Sequence, residues 1–161
     1  SNIINETYNF KTSKLVSDGK SIFFSNNKNE FYSVDVKTGV TNWINDINSN
    51  LTPIIIGNLL FTVSNDGYLY VVEKNEGNIV RINDLYTNYK VKKRKDTNPV
   101  GFAIGNSKLF LTNTDGKMII VDLSLGNIMD IEKVSANLSS RPFIYNQNLF
   151  VIRNGSIVQY N

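Results

Sequence analysis

Apolar and aromatic residues alternate with polar ones in short runs along this chain, and the runs break at Asn- and Gly-rich turns. Residues 21–35, 59–73 and 108–122 align without a gap. Each reads as a strand, a tight turn, a second strand and then an acid, Asp35, Glu73 or Asp122, with Gly39, Gly77 or Gly126 four residues on. A fourth copy begins at Asn148 and reaches Asn161 where the others carry the acid. In Tyr68–Glu73 and Lys117–Asp122 apolar side chains fill both faces, the pattern of strands sandwiched between neighbouring sheets. Gly67, Gly116 and Gly155 sit where a hairpin needs positive φ, and Asn29 takes that place in the first copy. Each acid is expected to accept hydrogen bonds from the amides of the turn that follows it.

The intervals between the acids are 38 residues from Asp35 to Glu73 and 49 from Glu73 to Asp122, with 39 more to Asn161. Repeats of about 40 residues built this way are propeller blades. The reading is an all-β protein: a β-propeller segment of four four-stranded antiparallel blades, forming either half of an eight-bladed ring or a small closed one. Blades are expected at about 14–50, 51–98, 99–137 and 138–161 in a single propeller segment. Residues 3–10 form one extra strand, and the last blade is one strand short. The longer middle interval places an insertion of about ten residues within 85–98, as an inter-blade loop or an extended hairpin.

Composition changes this picture mainly by exclusion. With no cysteine and no histidine, disulfides, thiolate nucleophiles, the usual zinc sites and His-based triads all fall away. The insertion holds Lys90, Lys92, Lys93, Arg94 and Lys95. Their five charges exceed the net charge of +3, so the remainder of the chain is net acidic and offers no broad basic face for nucleic acid. The same loop carries Tyr86 and Tyr89, and Tyr with Arg is the composition of interface hot spots. Tyr86, Tyr89, Lys92, Lys93 and Arg94 are therefore the candidate partner-binding residues, facing an acidic protein surface or anionic lipid headgroups. Trp43 is expected to pack between blades and donate its indole N–H, rather than to stack on a ligand.

The first copy, from Gly19 through Asp35, Thr38 and Gly39 to Trp43, resembles the quinoprotein (PQQ-like) repeat. Arg81 and Asp130 depart from it by replacing the tryptophan. The Asn65–Tyr70 hairpin and the stretch from Arg141 to Asn161 are most similar to the BamB family of outer-membrane assembly lipoproteins, in its C-terminal half. That resemblance implies a non-enzymatic, cofactor-free protein-binding scaffold in outer-membrane β-barrel assembly, periplasmic and membrane-associated, with a BamA-type partner. Separately, the half-ring reading of the four blades raises a homodimer that closes one propeller. The alternatives are a fragment of a PQQ- and calcium-dependent dehydrogenase, or a glycan- or ligand-binding surface repeat protein. The dehydrogenase would require carboxylate ligands gathered outside the repeat, whereas these acids recur at turns.

Overall fold

The computed structural model describes residues 10–136 and 140–160. The strand expected over residues 3–10 lies outside them except for Phe10. The described residues form four antiparallel meanders. Blade 1 contains β1 (Val16–Ser17), β2 (Ser21–Ser25), β3 (Phe31–Asp35) and β4 (Thr41–Asn45). Blade 2 contains β5 (Ile54–Ile56), β6 (Leu59–Val63), β7 (Tyr68–Glu73) and β8 (Ile79–Asp84). A short helix, α1 (Val91–Lys95), leads to blade 3: β9 (Pro99–Gly105), β10 (Lys108–Asn113), β11 (Lys117–Asp122) and β12 (Ile128–Lys133). Blade 4 has three strands, β13 (Phe143–Tyr145), β14 (Asn148–Arg153) and β15 (Ser156–Tyr160). The propeller-segment reading holds. The extended-hairpin form of the insertion does not, because its basic run closes into one helical turn.

The hydrophobic core is divided among the seams between blades. Phe23 and Phe31 of blade 1 pack with Leu60 and Val72 of blade 2. Phe61, Val63 and Val71 of blade 2 pack with Leu109, Leu111 and Ile119 of blade 3. Met118 of blade 3 packs with Leu149 and Val151 of blade 4. Burial of both faces of β7 and β11 follows directly from this stacking. Among the described residues no sheet covers the outward face of blade 4, where Phe143, Ile152 and Ile157 are 38%, 46% and 67% exposed.

The repeated acids act as turn anchors. Asp35 Oδ1 accepts from the amides of Lys37 and Thr38 and from the Thr38 hydroxyl, at 3.0, 2.8 and 2.8 Å. Glu73 accepts from the amides of Asn75 and Glu76, and Asp122 from the Leu125 amide and the Ser124 hydroxyl. Hydrogen bonds to the ionised form hold all three carboxyls below their usual range, led by the Thr38 amide, the Glu76 amide and the Ser124 hydroxyl respectively. One oxygen of Asp35 and of Asp122, and both oxygens of Glu73, are thus engaged by the turn.

The outer strand of one blade then clasps this turn in the next. Trp43 lies edge-on to Phe31 at 5.4 Å and donates Nε1–H to the Lys74 carbonyl at 2.9 Å, while Asn45 donates to Gly77 O at 2.7 Å. Gly77, at φ 75°, must be glycine, because a Cβ there would stand 2.7 Å from the indole. The Lys74 ammonium reaches back to Asp18 at 2.7 Å across the same seam. At the following seam Arg81 replaces Trp43 and donates to the carbonyls of Leu123, at 2.7 Å, and Ser124. Leu123 follows Asp122 as Lys74 follows Glu73, so indole and guanidinium serve one acceptor position.

Candidate protein interface

The insertion is built onto blades 2 and 3 from both ends. Leu85 N–H donates to Gly67 O at 3.0 Å, and Tyr86 N–H to Asp84 Oδ1 at 2.9 Å. Gly67 lacks the Cβ that would lie 2.5 Å from the Tyr86 ring, so the ring slides over the hairpin and becomes fully buried. Its hydroxyl donates to Asn113 Oδ1 at 2.6 Å, tying blade 2 to blade 3. At the far end, Asn98 N–H donates to Thr114 Oγ1 and Thr114 N–H donates to Asn98 O, both at 2.9 Å. Thr97 is buried and donates to Lys93 O at 2.8 Å.

These contacts divide the sequence-predicted site residues into two groups. Tyr86 is corrected outright: it belongs to the core, because the space above Gly67 admits its ring. Tyr89 is half-buried, with its ring 5.0 Å from that of Tyr86 and packed against the same cluster. Burial pushes both phenols up, and the Asp115 carboxylate adds to the effect at Tyr89. Arg94 acts as a brace. Its Nη1 pairs with Asp84 Oδ2 at 2.7 Å, and the guanidinium lies 5.0 Å from the Tyr68 ring centre. The Asp84 hydrogen bond also pushes Arg94 further up.

Lys92 and Lys93 remain on the surface. Lys93 is half-exposed and lies 3.7 Å from the buried Asp115 carboxylate. Lys90, Lys92 and Lys95 are exposed, and no ion pair engages them among the described residues. The sequence reading missed Val91, which is 76% exposed beside them. Its signal was present in the sequence: an isolated apolar residue within a lysine run, in a helix of five residues that buries none of them. Lys92 to Lys95 crowd the last turn, where cations suit the helix dipole. The result is a small cationic surface with one apolar point, held on a rigid base. Its exposed ammonium groups suit contact with negative charge.

The sequence profile described as outer membrane protein assembly factor BamB matches residues 5–83. No curated protein matches the chain. Among solved structures, BamB from Moraxella catarrhalis superposes with a TM-score of 0.73 at 13% identity, over 91% of this chain and 41% of that one. The computationally designed Ika4 protein gives 0.71 at 10% identity, over 96% and 93% of the two chains. The computationally designed Ika8 gives 0.70 at 9% identity, over 92% and 45%. The chain therefore spans about two fifths of the length of the BamB structure it matches. Blade architecture and these likenesses agree on the fold, a β-propeller segment, and the family model places the BamB-like repeat wording in its first half, residues 5–83.

Proposed function

We propose that this segment is a non-enzymatic, protein-binding scaffold of outer-membrane β-barrel assembly, working in the periplasm against a BamA-type partner. The relation to BamB supports a protein-binding scaffold in general. The observation that carries the specific reading is the cationic face of α1, Lys90, Lys92, Lys93 and Lys95 around Val91, on an insertion braced to two blades. A rigid base lowers the ordering cost of binding, and the exposed charges steer an acidic partner. Arg94 supports this face from below rather than forming part of it. The dehydrogenase alternative draws no support from the repeated acids, each of which anchors the turn that follows it instead of gathering with the others at one site.

The test is titration of a purified BamA-type assembly protein with the chain and with a Lys90→Glu, Lys92→Glu, Lys95→Glu variant. At least tenfold weaker binding at an unchanged melting temperature is expected, with the difference shrinking as salt rises. Equal binding by the two proteins removes the insertion from recognition. Binding of both to anionic phospholipid vesicles, with none to the protein, replaces the partner with a membrane surface.

A further inference from the structure

The places where the chain enters its four blades meet at one cavity. Counted back seven residues from the start of β2, β6, β10 and β14, the same repeat position is held by Lys14, Thr52, Gly101 and Arg141. All four line a cavity of about 340 Å³, within the range of about 300–1,000 Å³ typical of small-ligand sites. One repeat position thus gathers two cations, a hydroxyl and a glycine around a common space.

The glycine makes room for one of the cations. A Cβ on Gly101 would stand 2.3 Å from Arg141 Cβ, so the arginine stem crosses directly over the backbone of blade 3. The residue before Arg141 is fixed from two sides: the buried Thr112 hydroxyl donates to Ser140 O, and Ile152 N–H donates to Ser140 Oγ, both at 2.8 Å. On blade 2 the buried Ser49 donates to Val63 O at 2.7 Å and accepts from Leu51 N–H at 3.1 Å, which pins the chain on either side of Asn50. Leu51 and Phe102, packed in the core between blades 2 and 3, supply an apolar wall. The cavity is therefore part of the rigid frame.

Its polar groups are unspent. Lys14 and Arg141 enter none of the ion pairs among the described residues, and no acid is among the residues that line the cavity. Asn50 lines it too, and its Oδ1 is buried without a hydrogen-bond partner. An unpaired buried amide oxygen is costly in a native fold and calls for a donor. Two cations without a counter-charge call for an anion, and the arginine fork matches the paired oxygens of a carboxylate or a phosphate.

We propose that this cavity binds a small hydroxylated oxyanion, a hydroxycarboxylate or a phosphate ester. Its anionic group sits on Arg141 and Lys14, and its hydroxyl donates to Asn50 Oδ1. A simple anion without a hydroxyl answers the charges and leaves Asn50 unpaired, whereas a neutral polyol does the reverse. None of the residues of α1 lines the cavity, so the site stands independently of what the insertion binds.

The test is calorimetric titration of the chain with two matched pairs, malate with succinate and glycerol 3-phosphate with propyl phosphate, while amide NMR shifts locate the ligand. The second member of each pair lacks the hydroxyl. A hydroxylated member is expected to bind at least tenfold more tightly than its partner, with shifts centred on Asn50, Thr52 and Gly101; the pair that binds distinguishes carboxylate from phosphate. Arg141→Gln and Lys14→Gln, both at exposed positions, should each weaken binding at least tenfold with an unchanged melting temperature. Asn50→Ala should erase the difference within the pair. Four results overturn the proposal: no binding of malate or glycerol 3-phosphate at about 10 mM, equal binding by both members of the pair that binds, shifts centred on α1, or affinity unaltered in the two charge variants.

Discussion

The seam between blades 1 and 2 and the seam between blades 3 and 4 share a repeat but differ in how they are finished. In the first, Trp43 and Asn45 reach over the core and grip the Glu73–Gly77 turn of the next blade. In the third, the same places are held by Asp130 and Glu132. Blade 4 shows no matching turn among the described residues, and a cavity of about 590 Å³ remains between Phe110, Met118, Ile120, Ile144 and Tyr160. The apolar core of a seam therefore forms without the clasp. What the outer strand adds is the lid that excludes water from it.

The largest expected effect breaks the clasped seam. Trp43→Ala removes an aromatic side chain packed on two phenylalanines and should lower unfolding free energy by about 3 kcal/mol in denaturant titration. Asp130→Ala, at the equivalent unclasped position, should stay within about 0.5 kcal/mol of the parent. Equal losses at the two sites would mean that the clasp adds nothing. Next comes Gly77→Ala, which places a methyl group against the indole at a positive φ; a loss of more than about 1 kcal/mol is expected. Arg81→Met keeps the stem but frees the Leu123 and Ser124 carbonyls, which water can partly reach, for a smaller loss of about 1 kcal/mol.

The mildest test is acid. Asp18 is held below the usual carboxylate range, first by its hydrogen bond from Lys74 and then by the Ser21 and Lys20 amides; Asp35, Glu73 and Asp122 are also lowered. Their contributions are complete above the unfolded carboxylate values and are lost as pH falls through the lower folded ones. The melting temperature should thus be level from about pH 6 to 8, with no histidine to titrate, and should decline below about pH 4. Asp18→Asn should flatten part of that decline.

Much of the fold was legible because a repeat states its rule several times. The turn acids, the hairpin glycines, Asn29 at φ 63° and the role of Trp43 all follow from position within the copy. Arg81 looked like a departure from the pattern, yet it keeps the one property the position uses, an N–H at the end of a long planar group. The insertion was legible only as extra length. Its helix is too short for a periodic signal, and the burial of Tyr86 depends on Gly67, which serves first as a hairpin residue. Arg94 was grouped with the lysines by charge. Its partner Asp84 lies ten residues upstream on another element, and only the fold brings them together.

The most direct test of one seam rule is amide hydrogen exchange. Strands β6, β7, β10 and β11, flanked on both sides within the described residues, should be strongly protected. Strands β14 and β15, flanked on one side among the described residues, should exchange faster. Equal protection in all four sheets would contradict the account.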